Sequence, residues 1–238
     1  MIFRGWQKTS LMEYPGKVST VLFTGGCNFR CPFCYNRDVV LSPEKFPKIT
    51  EKEVLDFLKA RKGLYQGVIV TGGEPTMHED LPDFFWKIRE LGISPALETN
   101  GTNYSMLKNL LKEGLVDFVA MDIKAPLVWE KYRIATGTEN KELFENVLKS
   151  VKLLMGSNVD YELRTTVVPV IHQRKDILDI AQSINGARKY VLQQFAPRGA
   201  TIDPKFAETP PYPDSFLTGI GKNISKNFAE FGIRNTGE

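Results

Sequence analysis

The sequence has 238 residues, of which 42% are hydrophobic and 25% charged, a globular composition that excludes a disordered or fibrous chain. The 31 basic and 28 acidic side chains give a net charge of +3, too small to predict a nucleic-acid-binding surface. Because no apolar run approaches the roughly 18 residues of a membrane span and the first residues show no signal sequence, we expect a soluble, cytoplasmic protein without a membrane partner.

Strands and helices are predicted to alternate along the chain. Apolar, β-branched runs predict six strands, at residues 18–24, 67–71, 94–99, 116–124, 160–168 and 189–195. Amphipathic periodicity predicts helices at residues 49–62, 79–91, 104–113, 141–155, 175–184 and 214–231. Thr50 and Glu53 have the spacing of a capping box at the start of the first helix.

Six βα units in succession predict a parallel sheet covered by helices. Since eight units close a barrel and polar residues follow the strands at their carboxyl ends, we predict an α/β fold, a partial, open (β/α)6 TIM-like barrel with outer helices. We expect a single domain over residues 1–238, with an N-terminal extension (1–17), the six units (18–195), a proline-rich loop (196–213) and a C-terminal helix and tail (214–238). The loop fits either a surface cover or a docking or lid element.

All three cysteines lie within eight residues, at Cys27, Cys31 and Cys34, in a loop rich in glycine and proline. An odd number of cysteines excludes a complete disulfide framework. A closed zinc site requires four ligands, but the only histidines, His78 and His172, lie far from the cysteines in sequence. We interpret both histidines as solvated or capping residues. Three thiolates suit a 4Fe–4S cluster that keeps one iron open for a small molecule. Three reduced structural cysteines are the alternative, which their clustering disfavours.

This segment resembles the signature of the radical S-adenosylmethionine (SAM) enzymes, Cys-x3-Cys-x2-Cys after the first barrel strand with an aromatic residue before the last cysteine. The resemblance implies that Cys27, Cys31 and Cys34 hold the cluster and that Phe33 lies near the adenine of SAM. It also implies that the open iron chelates the amino and carboxylate groups of SAM.

The second predicted strand ends in Gly72, Gly73 and Glu74, followed by Pro75. Glycines at the end of a strand expose backbone groups to a ligand, and a glutamate can accept a hydrogen bond from an ammonium. The segment resembles the Gly-Gly-Glu-Pro motif of the same family, which implies that these residues hold the amino group of SAM. Taken alone, the motif also fits an ordinary tight turn.

Charged side chains follow on the third and fourth predicted strands. Period-two alternation predicts that Glu98, Asp122 and Lys124 point into the barrel, where they form either a ligand site or a simple salt bridge. The segments resemble the glycyl-radical-enzyme activases, such as the pyruvate formate-lyase activator, which has Asp where this chain has Glu98. That resemblance implies that Glu98, Thr99 and Asp122 hold a monovalent cation beside the SAM carboxylate and that Lys124 lines the site.

The fifth predicted strand places Glu162, Arg164 and Thr166 on one face. Arg164 suits binding of the SAM carboxylate or ribose, as in related activases, or pairing with a nearby carboxylate. Gln193 and Gln194 stand where the pyruvate formate-lyase activator carries a histidine.

The resemblance covers most of the chain, and residues 6–11, 14–17 and 163–168 resemble the long-form anaerobic ribonucleoside-triphosphate reductase activating proteins. It implies an oxidoreductase that reductively cleaves SAM and uses the 5′-deoxyadenosyl radical to make a glycyl radical on the reductase, with flavodoxin or ferredoxin as electron donor. Three alternatives stay open: another glycyl-radical enzyme as substrate, a small molecule as for the 7-carboxy-7-deazaguanine synthases, or a non-catalytic iron–sulfur electron carrier.

Overall fold

The computed structural model describes residues 1–196 and 199–234. This part of the chain forms the strands β1 (Ile2–Phe3), β2 (Gly5–Ser10), β3 (Ser19–Thr24), β4 (Ile49–Thr50), β5 (Gly67–Gly72), β6 (Ser94–Thr99), β7 (Phe118–Asp122), β8 (Asp160–Val167), β9 (Lys189–Gln194) and β10 (Glu230–Arg234). Its α-helices are α1 (Arg37–Leu41), α2 (Glu51–Lys59), α3 (Leu81–Glu90), α4 (Tyr104–Lys112), α5 (Trp129–Thr136), α6 (Lys141–Met155), α7 (Arg174–Ser183) and α8 (Asp214–Ile224).

Eight strands form one sheet in the order β2-β3-β5-β6-β7-β8-β9-β10. All neighbours from β3 to β10 are parallel, and only β2 runs antiparallel, beside β3. Over the described residues the outer strands β2 and β10 do not pair with each other, so the sheet stays open. The predicted partial barrel with outer helices is confirmed, with one extra strand at each edge.

The N-terminal extension supplies the extra strand at the β3 edge. Gly5 of β2 pairs with Phe23 of β3, and the indole of Trp6 donates a hydrogen bond to Thr20 Oγ1 at 2.7 Å. The antiparallel strand thereby covers an edge that would otherwise expose unpaired backbone groups.

The predicted closing helix over residues 214–231 is wrong in its second half. Helix α8 ends at Ile224, and β10 follows as a parallel partner of β9. Phe228 and Phe231 both pack on Tyr190 of β9, with ring centroids 5.0 and 6.3 Å from it. Their spacing of three residues imitates a helical period, which explains the error. Residues 235–238 of the predicted tail, like Pro197 of the predicted loop, lie outside the described residues.

Apolar side chains pack on both faces of the sheet. The larger cluster fills the space under the helices and includes Leu22, Val70, Leu97, Val119 and Leu163. The smaller cluster lies on the inner face and consists of Tyr14, Val21, Ile69, Ala96, Phe118 and Ala120, with Phe23 against it. Charged residues two positions further along the same strands therefore face the interior near the carboxyl ends, as the alternation predicts.

The capping box predicted at the start of α2 is present. Thr50 Oγ1 accepts from the N–H of Glu53 at 3.3 Å, and the Glu53 carboxylate accepts from the N–H of Thr50 at 2.7 Å. Across the described ranges, no helix has the length and apolar character to cross a membrane.

Candidate active site

The three cysteines lie in the loop that leaves the carboxyl end of β3. Cys31 is buried, Cys27 and Cys34 are partly exposed, and none of them forms a disulfide. The N–H of Cys34 donates to the carbonyl of Cys31 at 3.0 Å, and the N–H of Arg30 donates to the carbonyl of Thr136 at 2.8 Å. The last turn of α5, a helix that the sequence did not predict, thus supports the cysteine loop.

Glycines seat this loop on the end of β5. Gly72 has a φ of 118°, a value that favours glycine, and the N–H of Gly73 donates to the carbonyl of Thr24 at 3.0 Å. The N–H of Glu74 donates to the carbonyl of Gly26 at 2.8 Å. A Cβ atom on Gly73 would overlap the Gly26 backbone. The two glycines therefore fix the approach of the cysteine loop.

The carboxylate of Glu74 joins the loops after β5 and β6. It accepts hydrogen bonds from the N–H and hydroxyl of Thr76 at 3.1 and 2.5 Å, from the hydroxyl of Thr99 at 2.6 Å and from the N–H of Asn100 at 2.7 Å. Burial raises the pKa of Glu74, and these donors oppose the increase. Because the side chain is only 1% exposed, contacts of this motif with a ligand would come from its main chain.

A group of charged side chains lines the interior beyond this loop. Arg164 bridges the carboxylates of Glu98 and Asp122 at 2.9 and 3.5 Å, and Lys124 pairs with Asp122 at 2.8 Å. The hydroxyl of Thr71 also donates to Glu98, at 2.8 Å. Burial acts to raise the pKa of Asp122, but the charges of Lys124 and Arg164 prevail and lower it. A third carboxylate, that of Glu162, lies 3.9 Å from Arg164 and pairs with Arg234 at 2.6 Å. These charged side chains therefore pair with one another, as the salt-bridge alternative predicts.

Lys124 also places positive charge beside the cysteines. Burial raises the pKa of Cys27 to about 11 and that of Cys31 to about 12, and it raises the pKa of Cys34 as well. The charge of Lys124 opposes the increase at all three thiols. Metal binding is what converts such thiols to thiolates.

The proline-rich segment is anchored on the cysteine loop. Ile202 and Asp203 donate main-chain hydrogen bonds to carbonyl oxygens of that loop at 3.2 and 2.9 Å. Phe206 is 1% exposed and meets Phe33 edge-on, with ring centroids 6.3 Å apart. Phe33 is itself buried in the larger apolar cluster. The described part of the segment is therefore a strap that supports Phe33.

The prediction that both histidines are solvated or capping is wrong for His172, which is fully buried. Its Nδ1 accepts from the N–H of Val168 at 3.0 Å, so Nε2 carries the proton and donates to the carbonyl of Lys124 at 2.9 Å. Burial lowers the pKa of His172 to about 4. His78 is half-buried, with Nε2 3.1 Å from the carbonyl oxygen of Gly25.

The two glutamines of β9 lie on opposite faces. Gln193 faces the interior, with Oε1 3.5 Å from the Thr166 hydroxyl, whereas Gln194 donates to the carbonyl of Tyr212 at 2.5 Å. Only Gln193 is therefore placed near the charged group.

Three polar residues beside Cys27 were not predicted as site residues. Asn28, Asn100 and Thr102 hydrogen-bond to one another, and Asn100 also reaches Cys27 Sγ. The only sequence signal for Asn100 is its position directly after the third predicted strand, next to Thr99.

The donor set fits an iron–sulfur cluster. Three unpaired thiols lie in one loop, and N–H groups of Phe29 and Asn100 point to Cys27 Sγ at 3.4 and 3.7 Å. In the described ranges no three His, Cys, Asp or Glu side chains converge on one metal ion. A cubane cluster binds each thiolate at a different iron and does not require that convergence.

Sequence comparison identifies relatives along most of the chain. A model of the radical SAM superfamily matches residues 21–184. A "putative glycyl-radical enzyme activating enzyme" of Methanocaldococcus jannaschii is 32% identical over 229 residues, which cover 94% of this chain and 92% of the relative. The pyruvate formate-lyase-activating enzyme of Clostridium pasteurianum is 29% identical over 195 residues, 78% of each chain.

Solved structures share the fold. SuiB of Streptococcus suis bound to S-adenosylmethionine superposes with a TM-score of 0.68 at 13% identity, over 90% of this chain and 52% of that one. QueE from Escherichia coli gives a TM-score of 0.57 at 14% identity, over 98% of this chain and 93% of that one.

Proposed function

The chain belongs to the radical SAM superfamily, as a glycyl-radical-enzyme activating enzyme, and from this premise we propose which protein it activates. We propose that its substrate is an anaerobic ribonucleoside-triphosphate reductase, which receives a glycyl radical on its backbone. We further propose that flavodoxin or ferredoxin supplies the electron and that the reaction takes place in the cytoplasm.

The observation that supports the radical chemistry is the cysteine loop, which lies beside a group of paired, partly buried charges. Family membership implies a 4Fe–4S cluster and SAM, and we propose Cys27, Cys31 and Cys34 as the cluster ligands. Such a cluster supplies the electron that cleaves SAM to methionine and the 5′-deoxyadenosyl radical. The protein's part is to bind, to orient and to exclude water.

The proposed SAM contacts surround the open end of the barrel. The main chain of Gly72, Gly73 and Glu74 suits the amino group, because the carboxylate of Glu74 is enclosed by protein donors. Arg164 and Lys124 provide positive charge for the SAM carboxylate. Phe33, supported by the strap, would lie against the adenine.

The geometry does not favour the monovalent cation that the resemblance implies. The Arg164 guanidinium lies between Glu98 and Asp122, where a cation would need to bind. The hydroxyl of Thr99 is committed to Glu74 and to the N–H of Gly101. We therefore propose that Arg164 supplies the positive charge in this chain.

Support for the reductase as partner comes from the resemblance of residues 6–11, 14–17 and 163–168 to the long-form reductase activating proteins. The similarity to a pyruvate formate-lyase-activating enzyme favours a second candidate, another glycyl-radical enzyme. A non-catalytic electron carrier would not need the paired, partly buried charges beside the cysteines.

Electron paramagnetic resonance separates these candidates. The anaerobically reconstituted, reduced protein is mixed with SAM and with the reductase from the same source, and in parallel with a pyruvate formate-lyase. We expect a glycyl-radical doublet in the mixture with the reductase and none in the mixture with the lyase. The C31S variant should give no doublet with either protein. A doublet only in the lyase would show that the partner is the lyase and not the reductase. If SAM is cleaved but neither protein gives a doublet, a small-molecule substrate would be favoured.

A further inference from the structure

We propose that Asn100 is a positioning residue that donates a hydrogen bond to the sulfur of Cys27 and thereby raises the reduction potential of the cluster. The proposal rests on the proposed function in one respect, that Cys27 is a cluster ligand. Asn100 Nδ2 lies 3.7 Å from Cys27 Sγ, and the side chain is 6% exposed. The N–H of Phe29 is a second donor to the same sulfur, at 3.4 Å.

The orientation of the Asn100 amide follows from its neighbours. The N–H of Thr102 donates to Asn100 Oδ1 at 3.0 Å, and a backbone N–H can only donate. The oxygen must therefore face Thr102, and the amino group must face Cys27.

A closed ring of side chains holds this orientation. Asn100 Nδ2 donates to Asn28 Oδ1 at 2.9 Å, Asn28 Nδ2 donates to the Thr102 hydroxyl at 2.7 Å, and that hydroxyl donates to Asn100 Oδ1 at 2.7 Å. Every donor in the ring meets an acceptor, so rotation of any one amide would break two bonds.

The backbone of Asn100 is fixed as well. Its N–H donates to the buried carboxylate of Glu74 at 2.7 Å, and the N–H of Glu74 donates to the carbonyl of Gly26, next to Cys27. The backbones of Asn100 and Cys27 are thus held by linked loop contacts, and the ring of side chains fixes the amide relative to the sulfur.

A donor at a ligand sulfur stabilises the extra negative charge that reduction places on a cluster. Removing it makes the cluster harder to reduce. We expect the ratio of reduced to oxidised cluster at a fixed potential to fall roughly tenfold, equivalent to about 59 mV for one electron.

The test compares N100D with N103D and N100A. Asp at position 100 keeps the acceptor for Thr102 but replaces the donor with an oxygen. Asn103 caps α4, accepting from the N–H of Met106 at 3.0 Å, so N103D adds the same charge three residues away and keeps the cap. It loses only the hydrogen bond that Asn103 Nδ2 donates to the Thr76 carbonyl at 2.6 Å, which does not involve Cys27. N100A removes the donor without adding charge.

The readout is the midpoint potential of the reconstituted protein without SAM, from a potentiometric titration followed by electron paramagnetic resonance. We expect lower potentials for N100D and N100A and a wild-type potential for N103D. Wild-type potentials in N100D and N100A, or an equal decrease in N103D, would overturn the assignment of Asn100. A wild-type protein that assembles no cluster would instead contradict the proposed function.

Discussion

Gly73 at the end of β5 packs directly on Gly26, the residue before the first cysteine, with no room for a side chain between them. The contact is between backbone atoms, which cannot move aside as a flexible side chain does. Together with the hydrogen bond from the N–H of Glu74 to the carbonyl of Gly26, it fixes where the cysteine loop leaves the sheet.

Substituting Gly73 by Ala should therefore displace the cysteine loop. We expect G73A to lose most of its iron and sulfide after anaerobic reconstitution, because its Cβ overlaps the Gly26 carbonyl. The control is G156A, at the end of α6, where a Cβ meets only ordinary contacts at 3.5 Å and beyond. Equal iron contents in the two variants would show that the glycine contact does not position the cluster ligands.

Arg164 supplies a second test, on cation dependence. Replacing tetramethylammonium in the buffer with Na⁺ or K⁺ at constant ionic strength should leave the thermal midpoint of the wild-type protein unchanged. R164Q leaves Glu98 and Asp122 without their shared partner, so we expect it to lose about 3 kcal/mol of unfolding free energy and to regain part of it in Na⁺ or K⁺.

The control for this test is R188Q, which removes an exposed partner of Asp160 and should not respond to the cation. A wild-type midpoint that rises with Na⁺ or K⁺ would contradict the assignment of Arg164 and support a bound cation instead.

His172 predicts a specific pH dependence of stability. Its pKa is about 4 in the folded protein against roughly 6.5 in an unfolded chain, so the unfolded state binds the proton more tightly. The stability that neutral His172 provides is complete above about pH 6.5 and is lost as the pH falls toward 4. The charged groups that act on it are Asp176, Lys124 and Lys131.

Urea titrations of the wild-type protein and H172Q between pH 4 and 7.5 measure this effect. The stability advantage of the wild-type protein should shrink by about 3 kcal/mol over the window, since one pKa unit corresponds to about 1.36 kcal/mol. Parallel curves for the two proteins would be inconsistent with a buried neutral histidine.

Phe206 tests the role of the strap. F206A should destabilise the protein by about 3 kcal/mol and weaken SAM binding on the order of tenfold, because Phe33 loses the ring that supports it. Phe228 is a similarly buried ring on Tyr190, beside β10. F228A should cost similar stability and leave the affinity for SAM, measured by equilibrium dialysis, unchanged. A wild-type affinity in F206A would make the strap purely structural.

The sequence predicted those parts of the site that follow from local patterns, either a short motif or the alternation along a strand. Cys27, Cys31 and Cys34 lie in one loop, and the alternation along β6, β7 and β8 was enough to place Glu98, Asp122 and Arg164 on the inner face. The enclosure of Glu74 was not predictable, because its donors come from two separate loops. His172 was misjudged for the same reason, since the groups that bury it lie far away in sequence.

Label transfer from the reductase tests the central claim most directly. Reductase carrying glycine deuterated at Cα is incubated anaerobically with the reduced protein and SAM, and the 5′-deoxyadenosine is analysed by mass spectrometry. If the protein abstracts hydrogen from a backbone glycine, each glycyl radical should be accompanied by one deuterium in 5′-deoxyadenosine. Unlabelled 5′-deoxyadenosine, formed at the same rate with and without the reductase, would contradict the account.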